Sequence, residues 1–290
     1  MVEEEIIVFD LIYFTQNNSD EDKNYYQILS SKARNSSYYF VQPKRPSIFN
    51  CILLKVKSLN WYSKIDYDNI FLASIDAKYI TSLVRHYKKA KLITFDDGTA
   101  NIYKDDAYFI EPKQLRQYIY HFFIQSLTLD KIKSRIHHHY TMYKGFENIV
   151  EDSKLRFLDK IQCKNIKDFE GIKTYFIGTP FEEVMSAAQI LRLEDFVKTQ
   201  DIDAYVAHPR ERNMLDIGVP ILSKHGRIAE DAIIADAGNK RIRLVGWFSS
   251  VMLNLESFCE SRIVLLPKDC VKSNDFYELS KKSGCTPILI

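Results

Sequence analysis

The chain has 290 residues, 46% of them hydrophobic, so it is long enough for two domains of about 150 residues, each with its own core. Forty basic and 38 acidic residues leave a formal charge of +2, which argues against nucleic acid as the main partner. The five cysteines are odd in number and widely separated, with no Cys-x-x-Cys pair. Neither a disulfide framework nor a zinc knuckle is therefore indicated, and a reducing, cytoplasmic setting fits best.

The first apolar run, Ile6 to Phe14, predicts a buried strand. Asp10 interrupts it, and it is shorter than the about 20 apolar residues that span a bilayer. Three acidic residues, Glu3 to Glu5, precede the run, which is the wrong charge for the start of a signal peptide. A targeting segment that belongs to a longer form of the protein remains open.

The sequence pattern for helices and strands is weaker between this strand and residue 70. Tyr25–Leu29 predicts the start of a helix, and Tyr38–Val41 predicts a short strand. Pro43 to Pro46 predicts a loop, because proline lacks a backbone donor and favours an extended residue before it.

Residues 70–95 predict a β-α-β unit. Ile70–Ala73 is its first strand, and Asp76 is placed to cap the helix that follows. The apolar helix positions fall at i, i+3, i+4 and i+7, on one face: Ile80, Leu83, Val84 and Tyr87. The second strand, Lys91–Phe95, ends in Asp96-Asp97-Gly98. Ligands of open α/β sheets bind outside the carboxyl ends of strands, so this turn is the first candidate site.

The second half of the chain repeats the alternation of strands and helices. Thr174–Ile177 is a strand that ends in Gly178-Thr179-Pro180. Glu182 and Glu183 are expected in the first turn of a helix, where acidic residues complement the helix dipole. The predicted apolar face of that helix is Val184, Ala187, Ala188 and Leu191. For Glu182, the dipole role and a catalytic role both stay open.

Further strands follow in the same half. Asp203–Ala207 is a strand that ends in His208-Pro209-Arg210. Residues 229–231 begin a short helix, with Gly238 just past its end. Arg241–Val245 is a strand that leads to Phe248-Ser249-Ser250, where another helix is expected, and Ile263–Leu266 is the next strand.

The polar residues at these strand ends can together hold a nucleotide phosphate. His208 and Arg210 supply positive or donor groups, and Ser249 and Ser250 supply hydroxyls. Glu230 can accept two hydrogen bonds from a ribose. The sequence contains neither Gly-x-Gly-x-x-Gly nor a Walker loop, which disfavours dinucleotides and ATP.

The first half also contains a run of three histidines and a long charged segment. His137-His138-His139 has no second ligand set at a suitable spacing, and adjacent residues do not converge on one face of a helix or strand, so no metal site is predicted. The charged segment Asp152–Glu170 is either a helix that closes the first domain or an interdomain connection.

These motifs, in this order, resemble glycosyltransferase family 52, the bacterial sialyltransferases that sialylate lipooligosaccharide. The likeness extends from about residue 70 to the C-terminus, and the first 65 residues match loosely. The motifs that carry it are Phe95-Asp96-Asp97-Gly98-Thr99-Ala100-Asn101, His139-Tyr140-Thr141 with Lys144-Gly145, Gly178-Thr179-Pro180, His208-Pro209-Arg210, Glu230-Asp231 and Phe248-Ser249.

The resemblance implies an α/β fold of the GT-B type, with two Rossmann-like domains that face each other across a cleft. Residues 1–154 would form the acceptor side, and residues 155–290 would bind the CMP sugar. The implied activity is α-2,3-sialyl transfer from CMP-sialic acid to a galactose-terminated glycan or glycolipid of lipooligosaccharide or capsule, with inversion and without a metal or other cofactor. A homodimer and a cytoplasmic location are also implied, and peripheral attachment to the bacterial inner membrane is left open.

The resemblance also assigns the site. His208, with Ser249 and Ser250, would meet the phosphate of the departing CMP, and a carboxylate would deprotonate the acceptor hydroxyl. The catalytic candidates are Glu182, His208, Asp97 and Asp96. The substrate-binding candidates are Gly178, Thr179, Pro209, Arg210, Glu230, Asp231, Phe248, Ser249, Ser250, Gly98 and Asn101.

The expected base is where this chain departs from the family pattern. Family members place an Asp directly after the segment that corresponds to Gly178-Thr179-Pro180, whereas this chain has Phe181 there and Glu182 one position later. At a helix start one residue rotates a side chain by about 100°. The base is therefore either Glu182 or one of the carboxylates Asp97 and Asp96.

The same residues are compatible with two other functions. A metal-dependent phosphohydrolase would use Asp96, Asp97, His139 and His208, and it would lose activity in EDTA. A non-catalytic nucleotide-sugar-binding module, in which Phe181 marks a lost base, would bind CMP without turnover.

Overall fold

The computed structural model describes residues 8–42, 49–50, 52, 65–104, 108–109, 122, 125–160, 169–270 and 273–290. The loop predicted at Pro43 to Pro46 lies outside these residues. The chain forms two compact units. The first contains Met1–Gln16 and Lys32–Asp159, and the second contains Asn17–Ser31 and Lys160–Ile290.

The regular elements alternate along the chain as the sequence predicts for an α/β protein. In order they are β1 (Asp10–Thr15), α1 (Asp20–Ser30), β2 (Asn35–Phe40), β3 (Asn69–Leu72), α2 (Lys78–His86), β4 (Lys91–Phe95), α3 (Leu129–Arg135), β5 (Ile136–Thr141), β6 (Leu155–Phe157), β7 (Ile172–Ile177), α4 (Ala187–Lys198), β8 (Ala204–Val206), α5 (Ala229–Ala237), β9 (Arg241–Gly246), α6 (Ser250–Asn254), β10 (Cys259–Leu266), α7 (Ser273–Lys282) and β11 (Thr286–Leu289). No helix among the described residues is long and apolar enough to cross a membrane.

The first unit contains a parallel sheet of order β3-β4-β5-β6 and a separate parallel pair, β1-β2. The β-α-β unit predicted at 70–95 is confirmed by β3, α2 and β4. Asp76 does not cap α2, however, because it accepts a hydrogen bond from Ser74 at 3.2 Å and the N-cap position falls on Ala77. Apolar side chains from α2, α3 and the sheet form the core: Leu72, Ile75, Val84, Leu92, Ile132 and Ile136.

The second unit is built on a five-stranded sheet of order β11-β10-β9-β7-β8. Every neighbouring pair is parallel. Towards their carboxyl ends β7, β9 and β10 are buried without alternation, as in sheets that helices cover on both faces. Because β9, β7 and β8 are adjacent, the loops that follow these three strands leave the same edge of the sheet.

The helix after β7 begins later than the sequence pattern predicted. Glu182 and Glu183 lie in a 3-10 turn, Phe181–Glu183, and the α-helix starts after Ser186. Ser186 and Gln189 form a reciprocal capping box, which fixes the start of α4 at Ala187. The predicted apolar face was wrong as a consequence, since Leu191 is 62% exposed and the buried positions are Gln189, Leu193 and Val197.

Helix α1 lies early in the sequence but belongs to the second unit. Its prediction at Tyr25–Leu29 is confirmed, although a Ser19–Asp22 capping box starts it at Asp20. Asn24 donates to the carbonyl of Gly226 at 2.8 Å, and Tyr25 donates to Asp231 at 2.7 Å. These contacts attach α1 to the segment that leads into α5.

The segment Asp152–Glu170, for which a helix and a connection both remained open, begins with a 3-10 turn and then forms β6. Its residues 161–168 lie outside the described part of the chain. The edge strand β11 and helix α7, which the sequence analysis did not predict, complete the second unit.

Candidate active site

The loop after β8 begins with a capped turn, His208–Glu211, and its sequence explains why. The Nδ1 atom of His208 accepts a hydrogen bond from the amide of Arg210 at 3.1 Å, and the Glu211 carboxylate accepts one from the amide of His208 at 3.0 Å. Pro209 occupies the position where a missing N–H costs nothing. The segment His208–Glu211 thus forms the reciprocal hydrogen bonds of a helix capping box within a single turn.

His208 is held neutral by its surroundings. Burial, followed by the positive charges of Arg210 and Lys224, lowers the pKa of His208 to about 4. Because Nδ1 accepts from the Arg210 amide, the ring proton of the neutral imidazole lies on Nε2. The sequence left open whether His208 is a cation or a neutral donor, and the structure favours a neutral Nε2–H donor.

Glu211, which the sequence analysis did not single out, is the most connected carboxylate at this edge. The hydroxyl of Tyr205 donates to its Oε1, and the amides of His208 and Thr179 donate to the same carboxyl group. Burial is the main reason why the pKa of Glu211 is raised. The signal that could have found this residue is its spacing, since a Glu three residues after a capping residue completes a capping box.

Gly178 and Thr179 carry the chain from β7 past this carboxylate. A β-carbon on Gly178 would overlap Oε2 of Glu211 and lie 2.7 Å from Cε1 of Tyr205. The glycine is therefore required by close approach of side chains from the neighbouring strand and its loop.

Glu182 is exposed in the 3-10 turn that follows. Phe181 before it is 1% exposed and packs against Phe176, with ring centroids 6.1 Å apart. The negative charge of Glu182 contributes to the raised pKa of Glu211, so the two carboxylates lie within electrostatic range of each other. The structure thus brings Glu182 and the turn that carries His208 to the same sheet edge.

Arg210 pairs with Glu183 at 3.5 Å, and both side chains are more than half exposed. Exposed pairs of this kind contribute little to stability, about 0–1 kcal/mol. Arg210 is therefore available to turn towards an anionic ligand at low cost.

The loop after β9 contributes a buried hydroxyl group, that of Ser249. Ser249 is the N-cap residue of α6, and its buried Oγ has no hydrogen-bond partner among the described residues. Buried polar atoms are almost always paired, so an unpaired hydroxyl at a strand end suggests the place of a ligand atom. Phe248 is buried against Phe276, with centroids 5.4 Å apart, and anchors the loop that carries Ser249 and Ser250.

Glu230 and Asp231 begin α5 but have different surroundings. Glu230 is buried and accepts a hydrogen bond from Asn254 at 2.8 Å. Asp231 is exposed and accepts a hydrogen bond from the hydroxyl of Tyr25. Glu230 therefore lies inside the second unit beside the helix that Ser249 caps, whereas Asp231 serves the attachment of α1.

In the first unit, both carboxylate oxygens of Asp96 make contacts within the fold. Its Oδ2 accepts from the amide of Met142 at 2.8 Å, and its Oδ1 lies 3.2 Å from Nε2 of His139. The other ring nitrogen of His139 is 2.8 Å from Oγ1 of Thr94, and both of these residues are completely buried. The Thr94–His139–Asp96 chain therefore fixes the end of β4 and leaves Asp96 little capacity for a substrate.

Asp97 is the exposed carboxylate of the same turn. Its Oδ2 accepts from the hydroxyl of Tyr108, and its amide donates to Oδ1 of Asn101 at 2.6 Å. Gly98 has a φ of 57°, in the left-handed region that favours glycine, and opens a 3-10 turn. Asn101 is completely buried, with no hydrogen-bond partner for its Nδ2 among the described residues.

Within the described residues, no group of three or more His, Cys, Asp or Glu side chains could hold a metal ion. His137 and His138 lie side by side on β5, with ring centroids 4.2 Å apart, while His139 faces Asp96.

Comparison with models of protein families identifies the family of the chain. The model of glycosyltransferase family 52 matches residues 9–269. The chain belongs to glycosyltransferase family 52. The resemblance drawn from the ordered motifs is confirmed by this match.

Characterised relatives of this family-52 chain carry sialyltransferase names. It is 31% identical to an N-acetyllactosaminide α-2,3-sialyltransferase of Haemophilus influenzae, over 66% of this chain and 62% of that protein. It is 25% identical to the enzyme of the same name from Neisseria meningitidis, over 97% of this chain and 78% of that protein. The alignment with a CMP-N-acetylneuraminate:β-galactoside α-2,3-sialyltransferase of Pasteurella multocida has 26% identity and covers 67% of this chain and 62% of that protein. The chain thus spans less than two thirds of the Haemophilus and Pasteurella proteins.

Solved structures identify the fold of this family-52 chain. An α/β-galactoside α-2,3-sialyltransferase from Photobacterium phosphoreum matches 97% of this chain and 98% of its own, with a TM-score of 0.53 and 12% identity. The glycosyltransferase of kitacinnamycin matches 97% of this chain and 86% of its own, with a TM-score of 0.52 and 8% identity. The prediction of an α/β fold of the GT-B type, with Rossmann-like parallel sheets, is confirmed.

Proposed function

We propose that this protein is a bacterial α-2,3-sialyltransferase that moves sialic acid from CMP-sialic acid to a terminal galactose of lipooligosaccharide or capsule. Family membership and the names of the three relatives support the reaction class. One observation carries the assignment to residues. A neutral imidazole donor, His208, and a buried hydroxyl, that of Ser249, which has no hydrogen-bond partner in the described part of the chain, follow strands of the same parallel sheet at one edge.

The proposed role of these donors concerns the leaving group. When the bond from the anomeric carbon to CMP breaks, the phosphate oxygen takes the electron pair and gains negative charge. The Nε2–H of His208, with the hydroxyls of Ser249 and Ser250, would stabilise that charge as it develops. Preorganised donors of this kind typically account for factors of about 10²–10³ in kcat each.

The second half of the reaction needs a base. As the galactose hydroxyl attacks the anomeric carbon from the face opposite CMP, the configuration inverts and the hydroxyl proton passes to a carboxylate. We assign this role to Glu182, which is exposed at the same sheet edge as His208. Asp97 is the alternative, because both carboxylate oxygens of Asp96 already contact His139 and Met142.

Nucleotide recognition would fall to the start of α5. The carboxylate of Glu230 would accept hydrogen bonds from the ribose of CMP, beside Asn254, which already donates to it. Asp231 would act indirectly, by holding Tyr25 of α1.

The proposal includes three further points that derive from the resemblance. The reaction would need no metal ion, the protein would be a homodimer, and it would work in the cytoplasm or at the inner surface of the bacterial inner membrane. Light scattering at micromolar concentration tests the dimer, and a single monomeric mass would refute it.

The decisive experiment is a transfer assay. Purified protein is given CMP-sialic acid with lactose or N-acetyllactosamine, with and without EDTA, and the sialyl linkage of the product is determined. An α-2,3-linked product in both conditions supports the proposal, and samples without acceptor separate transfer from donor hydrolysis. Loss of activity in EDTA would favour a metal-dependent enzyme, and CMP binding without any product would favour a non-catalytic binding module.

A further inference from the structure

The Glu211 carboxylate connects two loops that carry different parts of the proposed reaction. It accepts hydrogen bonds from the amide of His208, in the turn after β8, and from the amide of Thr179, in the loop after β7. We propose that Glu211 is a positioning residue that fixes the turn of His208 and the loop of Glu182 relative to each other. This inference rests on the proposed function, because it assumes that those two side chains act on the same substrate.

The contacts of Glu211 fit this role because they come from three places in the chain. Tyr205 lies on β8, 2% exposed, and its hydroxyl donates to Oε1 of Glu211. The His208 amide donates to Oε2 at 3.0 Å, and the Thr179 amide donates to the same carboxyl group. A single side chain therefore satisfies two backbone donors that neighbouring strands bring to the edge of the sheet.

The arrangement depends on a hydrogen-bond acceptor at position 211. Burial raises the pKa of Glu211, which means that the surroundings disfavour its charged form. Without the carboxylate, however, the partly buried amides of His208 and Thr179 would lose their acceptor, which is unfavourable for a donor shielded from water. An apolar side chain of similar volume would leave both loops without this connection.

The close packing around Gly178 supports the same conclusion. The carboxylate lies directly over this glycine, where any β-carbon would collide with Oε2. The β7 loop thus approaches Glu211 through its backbone, so a shift of the carboxylate moves the chain that leads to Glu182. A displacement of about 1 Å can lower a rate about 10²-fold when reacting groups must be aligned.

Glu211 and Glu182 differ in whether their carboxylate oxygens already accept hydrogen bonds or are exposed. Both carboxylate oxygens of Glu211 accept hydrogen bonds from the protein, whereas Glu182 is exposed. Glu211 is therefore suited to hold other groups, and Glu182 is suited to meet the acceptor.

Three variants test the proposal. Glu211→Ala removes the acceptor, Glu211→Asp keeps the charge but shortens the reach, and Glu211→Gln keeps the length and one carbonyl oxygen. Glu260→Ala is the control, since it removes an exposed charge near the amino end of β10, away from both loops. Transfer kinetics, CMP affinity and amide hydrogen exchange of segments 178–183 and 206–211 are measured for each folded variant.

We expect kcat to fall about 10²-fold in Glu211→Ala and in Glu211→Asp, and less than about tenfold in Glu211→Gln. CMP affinity should change less than kcat, because misplaced groups are lost mainly from the transition state. Amide exchange in both segments should accelerate together in the Ala and Asp variants, while Glu260→Ala should behave like the wild type.

Two results would overturn the proposal. One is wild-type amide exchange in both segments of Glu211→Ala, which would show that the carboxylate does not hold the loops. The other is accelerated exchange with unchanged kcat, which would show that the relative position of the two loops does not affect the reaction. If Glu211→Ala does not fold, the contrast between the Asp and Gln variants decides the same question. A wild-type protein that transfers no sialic acid would refute the proposed function, whereas the exchange data would still decide whether Glu211 joins the loops.

Discussion

The Nδ1 atom of His208 accepts a hydrogen bond from the backbone amide of Arg210 at 3.1 Å, and this contact decides what the imidazole can offer a ligand. With Nδ1 occupied as an acceptor, the neutral ring carries its proton on Nε2. The lowered pKa of about 4 keeps the ring in that form around pH 7. His208 therefore offers a directed hydrogen bond, and the nearby positive charge belongs to Arg210 and Lys224.

The first prediction concerns turnover by the His208 variant. His208→Ala should lower kcat for sialyl transfer about 10²-fold or more, because it removes a donor that meets the departing phosphate. Steady-state kinetics with CMP-sialic acid and lactose measure this, with circular dichroism to confirm folding. Wild-type turnover in a folded variant would contradict the phosphate assignment.

The pH dependence of stability gives a second prediction. The pKa of His208 is about 4 in the folded protein, against an ordinary value of 6.5. Stability linked to this group is complete above pH 6.5 and is lost as the pH falls towards 4, because the unfolded chain takes up a proton that folded His208 does not. Urea unfolding between pH 4 and 7.5 should therefore show a steeper acid loss for the wild type than for His208→Gln. Parallel stability curves would mean that His208 titrates normally in the folded state.

The third prediction follows from the close approach at Gly178. Gly178→Ala should destabilise the protein by about 1–3 kcal/mol, the usual cost of overpacking, and should lower transfer. In a Glu211→Ala background the added cost should be smaller, since one of the two collisions is gone and the contact with Tyr205 remains. Thermal unfolding of the four proteins of this double-mutant cycle measures the coupling. Full additivity would show that Gly178 and Glu211 do not depend on each other.

Glu230 and Asp231 allow a fourth prediction with a built-in comparison. Glu230→Ala should weaken CMP binding by about 1.5–3 kcal/mol, the value of a hydrogen bond to a buried charged group. Asp231→Asn should have a much smaller effect, because Asp231 faces Tyr25. Calorimetric titration with CMP compares them, and equal affinities for wild type and Glu230→Ala would return Glu230 to a purely structural role at the start of α5.

The fifth prediction concerns the base. If Glu182 deprotonates the acceptor hydroxyl, Glu182→Gln should keep CMP affinity while transfer falls by about 10²–10⁴-fold, the usual contribution of general-base catalysis. Donor hydrolysis by water should persist, because CMP departure does not require that carboxylate. Asp97→Asn should instead raise the acceptor KM more than it lowers kcat, since it disturbs the turn with Tyr108 and Asn101. An Asp97→Asn variant that cannot transfer, beside a nearly normal Glu182→Gln, would move the role to Asp97.

Local sequence determined much of this protein. The alternation of apolar strands with helices of 3.6-residue period predicted the α/β class, and β3, α2, β4, β7 and β9 lie where the pattern placed them. The turn His208–Glu211 is also local, because a capping side chain, a proline and a Glu lie within four consecutive residues. The ordered motifs then led to the family, which the match over residues 9–269 confirmed.

Sequence reasoning was weaker where two local signals competed. The spacing of Val184, Ala187, Ala188 and Leu191 suggested a helix face. The Ser186–Gln189 capping box instead starts the helix at Ala187, and Leu191 is exposed. Asp76 looked like a cap, yet it accepts a hydrogen bond from Ser74, and the N-cap position falls on Ala77.

Only the tertiary structure decided which side chains are free to act. Asp96 and Asp97 are adjacent in sequence, but His139 and Met142 come from a different strand and its loop and occupy Asp96 alone. Helix α1 belongs to the second unit because Asn24 and Tyr25 meet partners about 200 residues further along the chain. Glu211 gains its connection to Thr179 because β7 and β8 are paired in the sheet. Contacts of this kind depend on strand order, and no local pattern of residues encodes that order.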